Sequence, residues 1–211
     1  SRGLGDVYKR QDYTASITTN STDTQGNVAI SIAFSDLAGN AGDAVTATTN
    51  SSSVIYDRAV PTLSAVTVTS NNDNSAYAKE GDIVTLSFTS SENLQSDPTV
   101  TIDGNAATVS GSNTTWSAAY TMQSGDTEGD VNFTIDFLDL ASNSGSRVTT
   151  LTSGDKIVYD ETIPTLPTVD ISSNNSNGAT FAKVGDVITI SVSASENIQT
   201  PTVTIAGNAA A

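Results

Sequence analysis

The side chains in this sequence that could do chemistry are carboxylates. Its 211 residues hold 23 Asp and Glu against 8 Lys and Arg, a formal charge of −15 and a pI of about 4.1, with no histidine and no cysteine. Lacking histidine, the chain has neither the commonest general base nor the usual ligand of zinc, copper or iron. Lacking cysteine, it can form no disulfide, thiolate metal site or thiol nucleophile. What remains is oxygen chemistry, and carboxylates gathered with amide and carbonyl oxygens suit calcium. The same acidity repels phosphate backbones and anionic membranes, so nucleic acid is not an expected partner. Most of these acids need no role beyond solubility.

Two acidic groupings stand out. The first is Asp57, Glu92, Asn93, Asp139 and Asn143; the second is Asp160, Glu161 and Glu196. Their members are far apart in sequence, so only a fold can bring them together.

The elements that must do so are strands. Apolar residues alternate with polar ones throughout: Val84, Leu86 and Phe88; Val131, Phe133, Ile135 and Phe137; Val100 and Ile102; Trp116, Ala118, Tyr120 and Met122. The same pattern gives Val28, Ile30, Ile32 and Phe34 near the start and Ile188, Ile190 and Val192 near the end. Period-two alternation predicts half-buried antiparallel strands with these residues inward. Turn signals punctuate them at Glu80-Gly81-Asp82, Asp103-Gly104-Asn105, Gly129-Asp130 and Ser144-Gly145. Trp116 reads as a core residue. No apolar run is long enough to span a bilayer.

The sequence also repeats itself, at about 103 residues (169 minus 66). VTVTSNN (66–72) returns as VDISSNN (169–175), and AKEGDIVTLSFTSSENLQ (78–95) as AKVGDVITISVSASENIQ (182–199). PTVTIDGNAA (98–107) returns as PTVTIAGNAA (201–210). VAISIAFSDLAGNAG (28–42) matches VNFTIDFLDLASNSG (131–145), and YDRAVPTL (56–63) matches YDETIPTL (159–166). A domain-sized period implies that each repeat has its own core, unlike solenoid units of 20–50 residues. The chain then divides into a C-terminal half-repeat (12–60), one complete repeat (61–163) and an N-terminal half-repeat (164–211). Each half lacks about half a core, so both ends are expected to be disordered or open-edged. The expected fold class is all-β: tandem Ig-like β-sandwich repeats, one complete and two truncated, with about seven strands per repeat.

Residues 1–11, SRGLGDVYKRQ, carry three of the eight basic residues and fit no strand pattern. They resemble a translated sequencing adaptor and are set aside as a non-native segment.

The motifs AKEGD/AKVGD, SENLQ/SENIQ, TVTIDGNAA/TVTIAGNAA, DLAGN/DLASN and the YD-x-x-x-P linkers resemble bacterial Ig-like repeats of large extracellular adhesins and biofilm proteins. The resemblance covers residues 12–211. It implies a non-catalytic rod at the cell surface or outside the cell, partnered by neighbouring repeats of the same chain. Contact with a receptor, glycan or matrix ligand would fall to other parts of the parent protein. Some related adhesins stiffen such rods with calcium at domain junctions. The alternative expectation is a carbohydrate-binding or accessory module of a secreted enzyme, which an exposed aromatic platform would favour; aromatics are only 6% of the chain.

Ig-like topology makes the junction specific. The chain enters such a domain at the pole carrying the loops between the second and third and between the sixth and seventh strands. The linker residue Asp57 would therefore meet Glu92 and Asn93 in one loop and Asp139 and Asn143 in the other. The second junction offers Asp160, Glu161 and Glu196 without a sixth-to-seventh loop, and the first half-repeat keeps Asp36 and Asn40 without partners. No phosphate loop or nucleophile elbow appears, and no enzymatic activity is expected.

Overall fold

The computed structural model describes residues 11–209; residues 1–10, all but Gln11 of the segment 1–11 expected to be non-native, lie outside them, as do Ala210 and Ala211. The described residues form strands, turns and irregular segments without a helix. Two compact units are present, one running to Tyr159 and the other starting at Asp160.

In the first unit, β1 (Gly26–Asn27) pairs with β2 (Ile55–Tyr56), Gly26 opposite Tyr56. There follow β3 (Leu63–Ser70), β4 (Tyr77–Ala78), β5 (Ile83–Ser90), β6 (Thr99–Ile102), β7 (Asn105–Ala106), β8 (Thr108–Ser112), β9 (Thr115–Thr121), β10 (Gly129–Asp130), β11 (Phe133–Asp136) and β12 (Val158–Tyr159). The second unit holds β13 (Thr168–Ser173), β14 (Ile188–Ser193), β15 (Thr204–Ile205) and β16 (Asn208–Ala209).

Residues 61–159 form a β-sandwich-like body. One sheet has the order β3-β5-β9-β8. A second has the order β11-β6-β7, and the bridge Ile135–Val148 extends it beyond β11. A third, β10-β12-β4, contains the parallel pair β12–β4. The alternation read from the sequence is the burial seen here: Val84, Leu86, Phe88, Val100, Ile102, Trp116, Ala118, Met122, Val131, Phe133, Ile135 and Phe137 share one core. Within the first sheet Leu86 stands opposite Ala118 and Phe88 opposite Trp116, all four buried in this core. Tyr120 is only half-buried; its hydroxyl reaches Asp126 at 3.2 Å. Gly145 is there for space: a Cβ on it would run into the ring of Phe137.

The turn at AKEGD closes on Asp82, whose Oδ2 accepts Asn72 Nδ2 at 2.6 Å and Lys79 N at 2.8 Å, with Gly81 at φ 87°. In AKVGD, Asp186 Oδ2 accepts Asn175 Nδ2 at 2.5 Å and Lys183 N at 2.8 Å, with Gly185 at φ 94°. Equal sequence yields equal local geometry.

The two end segments differ from the inward pattern expected of them. Val28, Ile30, Ile32 and Phe34 are all exposed, and so are Ile188 and Val192, with Ile190 half-buried. The strands are ordered as the alternation requires, with Ile171 opposite Ile190 and Val169 opposite Val192. What they lack is a facing layer. The counterparts Val131, Phe133, Ile135 and Phe137 are buried because β3, β5 and β9 lie across from them in the shared core.

This contrast predicts the outcome of matched truncations. Ile135→Ala should destabilise the body of residues 61–159 by about 2–5 kcal/mol. The matching Ile32→Ala should change it by no more than about 0.5 kcal/mol. Urea unfolding followed through the single tryptophan, Trp116, which is buried in that core, measures both.

Candidate metal centre

The site is built on the loop after β11. Asp139 folds this loop around itself: Oδ1 accepts the amides of Ala141 and Asn143, both at 2.8 Å, and Oδ2 accepts Asn143 Nδ2 at 2.7 Å. Short acidic side chains bond amides two to four residues ahead in this way and so favour turns. Ser142 adopts the left-handed conformation (φ 69°) that lets the chain reverse. The result is a carboxylate with no solvent exposure, held by three donors.

The loop after β5 is fastened to this one. Leu94 bridges to Asp139, and the Gln95 amide donates to the Leu138 carbonyl at 3.0 Å. Glu92 sits at its turn, where the buried Ser90 hydroxyl donates to the Glu92 carbonyl at 2.7 Å. The linker before β3 completes the set. Asp57 Oδ1 accepts the Ala59 amide at 2.9 Å, and its backbone carbonyl accepts Asn143 Nδ2 at 3.3 Å. Asn143 thus ties the linker to the loop.

Asp57, Glu92 and Asp139 converge: each offers a carboxylate oxygen within 4.8 Å of the others. Oxygens on one calcium ion, each 2.3–2.6 Å from it, lie within about 5 Å of one another, so the three fit a single hard cation. Glu92 registers the crowding. Its carboxyl is pushed above the ordinary glutamate range, first by burial, then by the charges of Asp57 and Asp139. Asn93 is exposed, beside the cluster.

The second grouping does not converge. Among the described residues, Asp160, Glu161 and Glu196 form no such three-carboxylate set. Asp160 repeats Asp57, its Oδ1 accepting the Thr162 amide at 3.1 Å. Glu161, however, follows Asp160 as Arg58 follows Asp57, and both are exposed; it does not stand where Asp139 stands. Glu196 repeats Glu92, with its Oε1 sheltered and without a hydrogen-bond partner. The counterpart of Asp139 lies instead at Asp36. There Oδ1 accepts Ala38 N at 2.9 Å and Asn40 N at 2.8 Å, and Oδ2 accepts Asn40 Nδ2 at 2.7 Å. These bonds, with the side-chain bond from Asn40 the largest cause, hold the Asp36 carboxyl below the ordinary range. The role of Asn143 and Asn40 as clamps on an aspartate was carried in the sequence by the shared D-L-A-x-N spacing.

A carboxyl whose pKa rises on folding keeps a proton that the unfolded chain has lost. Stability therefore falls as pH rises through the glutamate range, and the deficit persists above the folded value. In chelator, Glu92→Gln should raise the melting temperature at neutral pH and flatten the decline between mildly acidic and neutral pH. Thermal melts of both proteins across pH test this.

No family model, curated protein or solved structure matches this chain, so the reading of the site rests on its own geometry.

Proposed function

We propose that this chain is a non-catalytic spacer segment of a bacterial surface or secreted adhesin, built from Ig-like repeats and stiffened by calcium where one repeat meets the next. The observation that carries the reading is the junction itself. The linker residue Asp57 meets the loops bearing Glu92 and Asp139, although the three are spread over the sequence.

Two further features support it. The order β3-β5-β9-β8, with β6 beside β11 and the bridge to Val148, is that of the A-B-E-D and C-F-G sheets of Ig-like domains. The linker is short and carries Pro61, buried at its end, which restricts its backbone. A rod needs such joints to be stiff. Without a cation, three carboxylates at a joint repel one another; with one, linker and loops become ligands of the same ion, and the joint loses its freedom to bend.

Calcium titrated into the chain should bind with a dissociation constant of about 0.1–1 mM, the range of extracellular calcium modules. At a hundredfold excess over that constant it should stabilise the complete repeat by about 2.7 kcal/mol. Glu92→Gln should abolish both effects while leaving the fold intact. Calorimetry with no heat of binding, together with an unchanged melting temperature in millimolar calcium, would sink the calcium part of the reading.

A further inference from the structure

The loop between β13 and β14 holds the single Asn-Gly pair of the sequence, Asn177-Gly178. An asparagine can close a ring on itself when the backbone nitrogen of the next residue attacks its side-chain carbonyl carbon. A glycine at that next position puts no Cβ beside the attacking nitrogen and leaves the backbone free to turn toward its target. The sequence supplies the pair, and the fold decides whether it can react.

Here the fold leaves the pair open. Asn177 and Gly178 are both exposed. The Asn177 backbone amide donates to Asn175 Oδ1 at 2.9 Å, but its side chain makes no hydrogen bond with any described residue. The Gly178 amide donates to the Asn175 carbonyl at 3.2 Å, the long end of the hydrogen-bond range. Gly178 has φ 132°, a conformation that strains any residue with a side chain, and a Cβ built on it would meet nothing within 4 Å. The loop is anchored on either side of the pair: Asn175 Nδ2 donates to Asp186 Oδ2 at 2.5 Å, and the Ser173 amide donates to the Ala179 carbonyl at 2.9 Å. Asn177 and Gly178 are the stretch between these anchors.

The body of residues 61–159 contains the same loop in an unreactive form. Its counterpart of Asn177 is Asn74, 103 residues earlier (177 minus 74). Asn72 there holds Asp82 as Asn175 holds Asp186. Asn74, however, is followed by Ser75, and its Oδ1 accepts the Ala76 amide at 3.3 Å. A Cβ thus stands beside the attacking nitrogen, and the target carbonyl is engaged.

We propose that Asn177 is a self-modification site, which deamidates in the folded chain through a cyclic imide. The Gly178 nitrogen gives up its proton and bonds to Asn177 Cγ. The Cγ–Nδ2 bond breaks, and its electron pair leaves with the nitrogen, which takes up a proton and departs as ammonia. Water then opens the ring at either carbonyl, giving aspartate or isoaspartate. Water enters and ammonia leaves, and nothing is oxidised or reduced. Each event takes the formal charge from −15 to −16 (−15 minus 1). In the isoaspartate form the main chain of the loop also becomes one carbon longer.

The test incubates the full chain at mildly alkaline pH and digests it with trypsin at mildly acidic pH. Cleavage after Arg58, Lys79, Lys156 and Lys183 puts Asn74 in residues 59–79 and Asn177 in residues 157–183. Mass spectrometry then counts amides turned to acids at each position. Asn177 should convert to both isoaspartate and aspartate while Asn74, Asn174 and Asn175 remain amides. Its conversion should quicken as pH rises, because the attacking nitrogen must lose a proton. The intact chain should keep pace with the excised peptide 157–183 incubated alone, and Gly178→Ala should slow conversion to the pace of Asn74. An intact chain that stays amidated while the peptide converts would show that the loop shields the pair, and would overturn the proposal. So would conversion of Asn74 as fast as Asn177, or a product of aspartate alone, which needs no ring.

Discussion

Everything in this molecule depends on one constraint: a strand that alternates apolar and polar residues buries its apolar face only against a second layer. In residues 61–159 both layers are present, and the outcome is a core that includes Leu86, Phe88, Trp116, Ile102 and Ile135. At the two ends the same alternation stands without its cover, and the same residue types are exposed. Sequence of one kind thus gives two physical outcomes in a single chain, decided by whether the partner layer is at hand. Local order does not require it. Turns such as AKVGD and DLAGN close through their own side-chain bonds even where the face beneath is open.

The acidic junction follows from that core. Packing brings the loops after β5 and β11 to the same pole, and the Leu94–Asp139 bridge joins them. Asp139 then serves two masters. Its bonds to Ala141 and Asn143 shape the loop, and its charge contributes to the field that raises the Glu92 carboxyl. Burying a carboxylate without donors would be costly; three donors make it tolerable. Asn143 transmits this order to the linker through the Asp57 carbonyl. A structural bond network and an acidic cluster therefore occupy the same few residues.

Much of this was legible in the sequence. Period-two alternation marked the core residues of β5, β6, β9 and β11, and loop order alone drew Asp57, Glu92 and Asp139 to one place. The misreadings have physical causes. Alternation says which way a residue points but not whether anything lies across from it, so Ile32 and Ile188 were expected inward and are exposed. Charge alone does not tell which position an acid fills: Glu161 groups with Asp160 and Glu196 by type, yet it sits where Arg58 does. Asn143 has a second role that its type alone does not announce: its amide nitrogen donates to Asp139 and to the Asp57 carbonyl.

Asp57 and Tyr159 lie toward opposite ends of β11, and that placement has a mechanical meaning. A pull on the two ends acts along the strands, not across them. β3 begins at the arriving end and β12 finishes at the departing end, and β12 lies parallel to β4. Tension in that direction slides neighbouring strands past each other and loads their hydrogen bonds together. Peeling from a strand end would break them one at a time. A force applied at these two points would load the strands in shear.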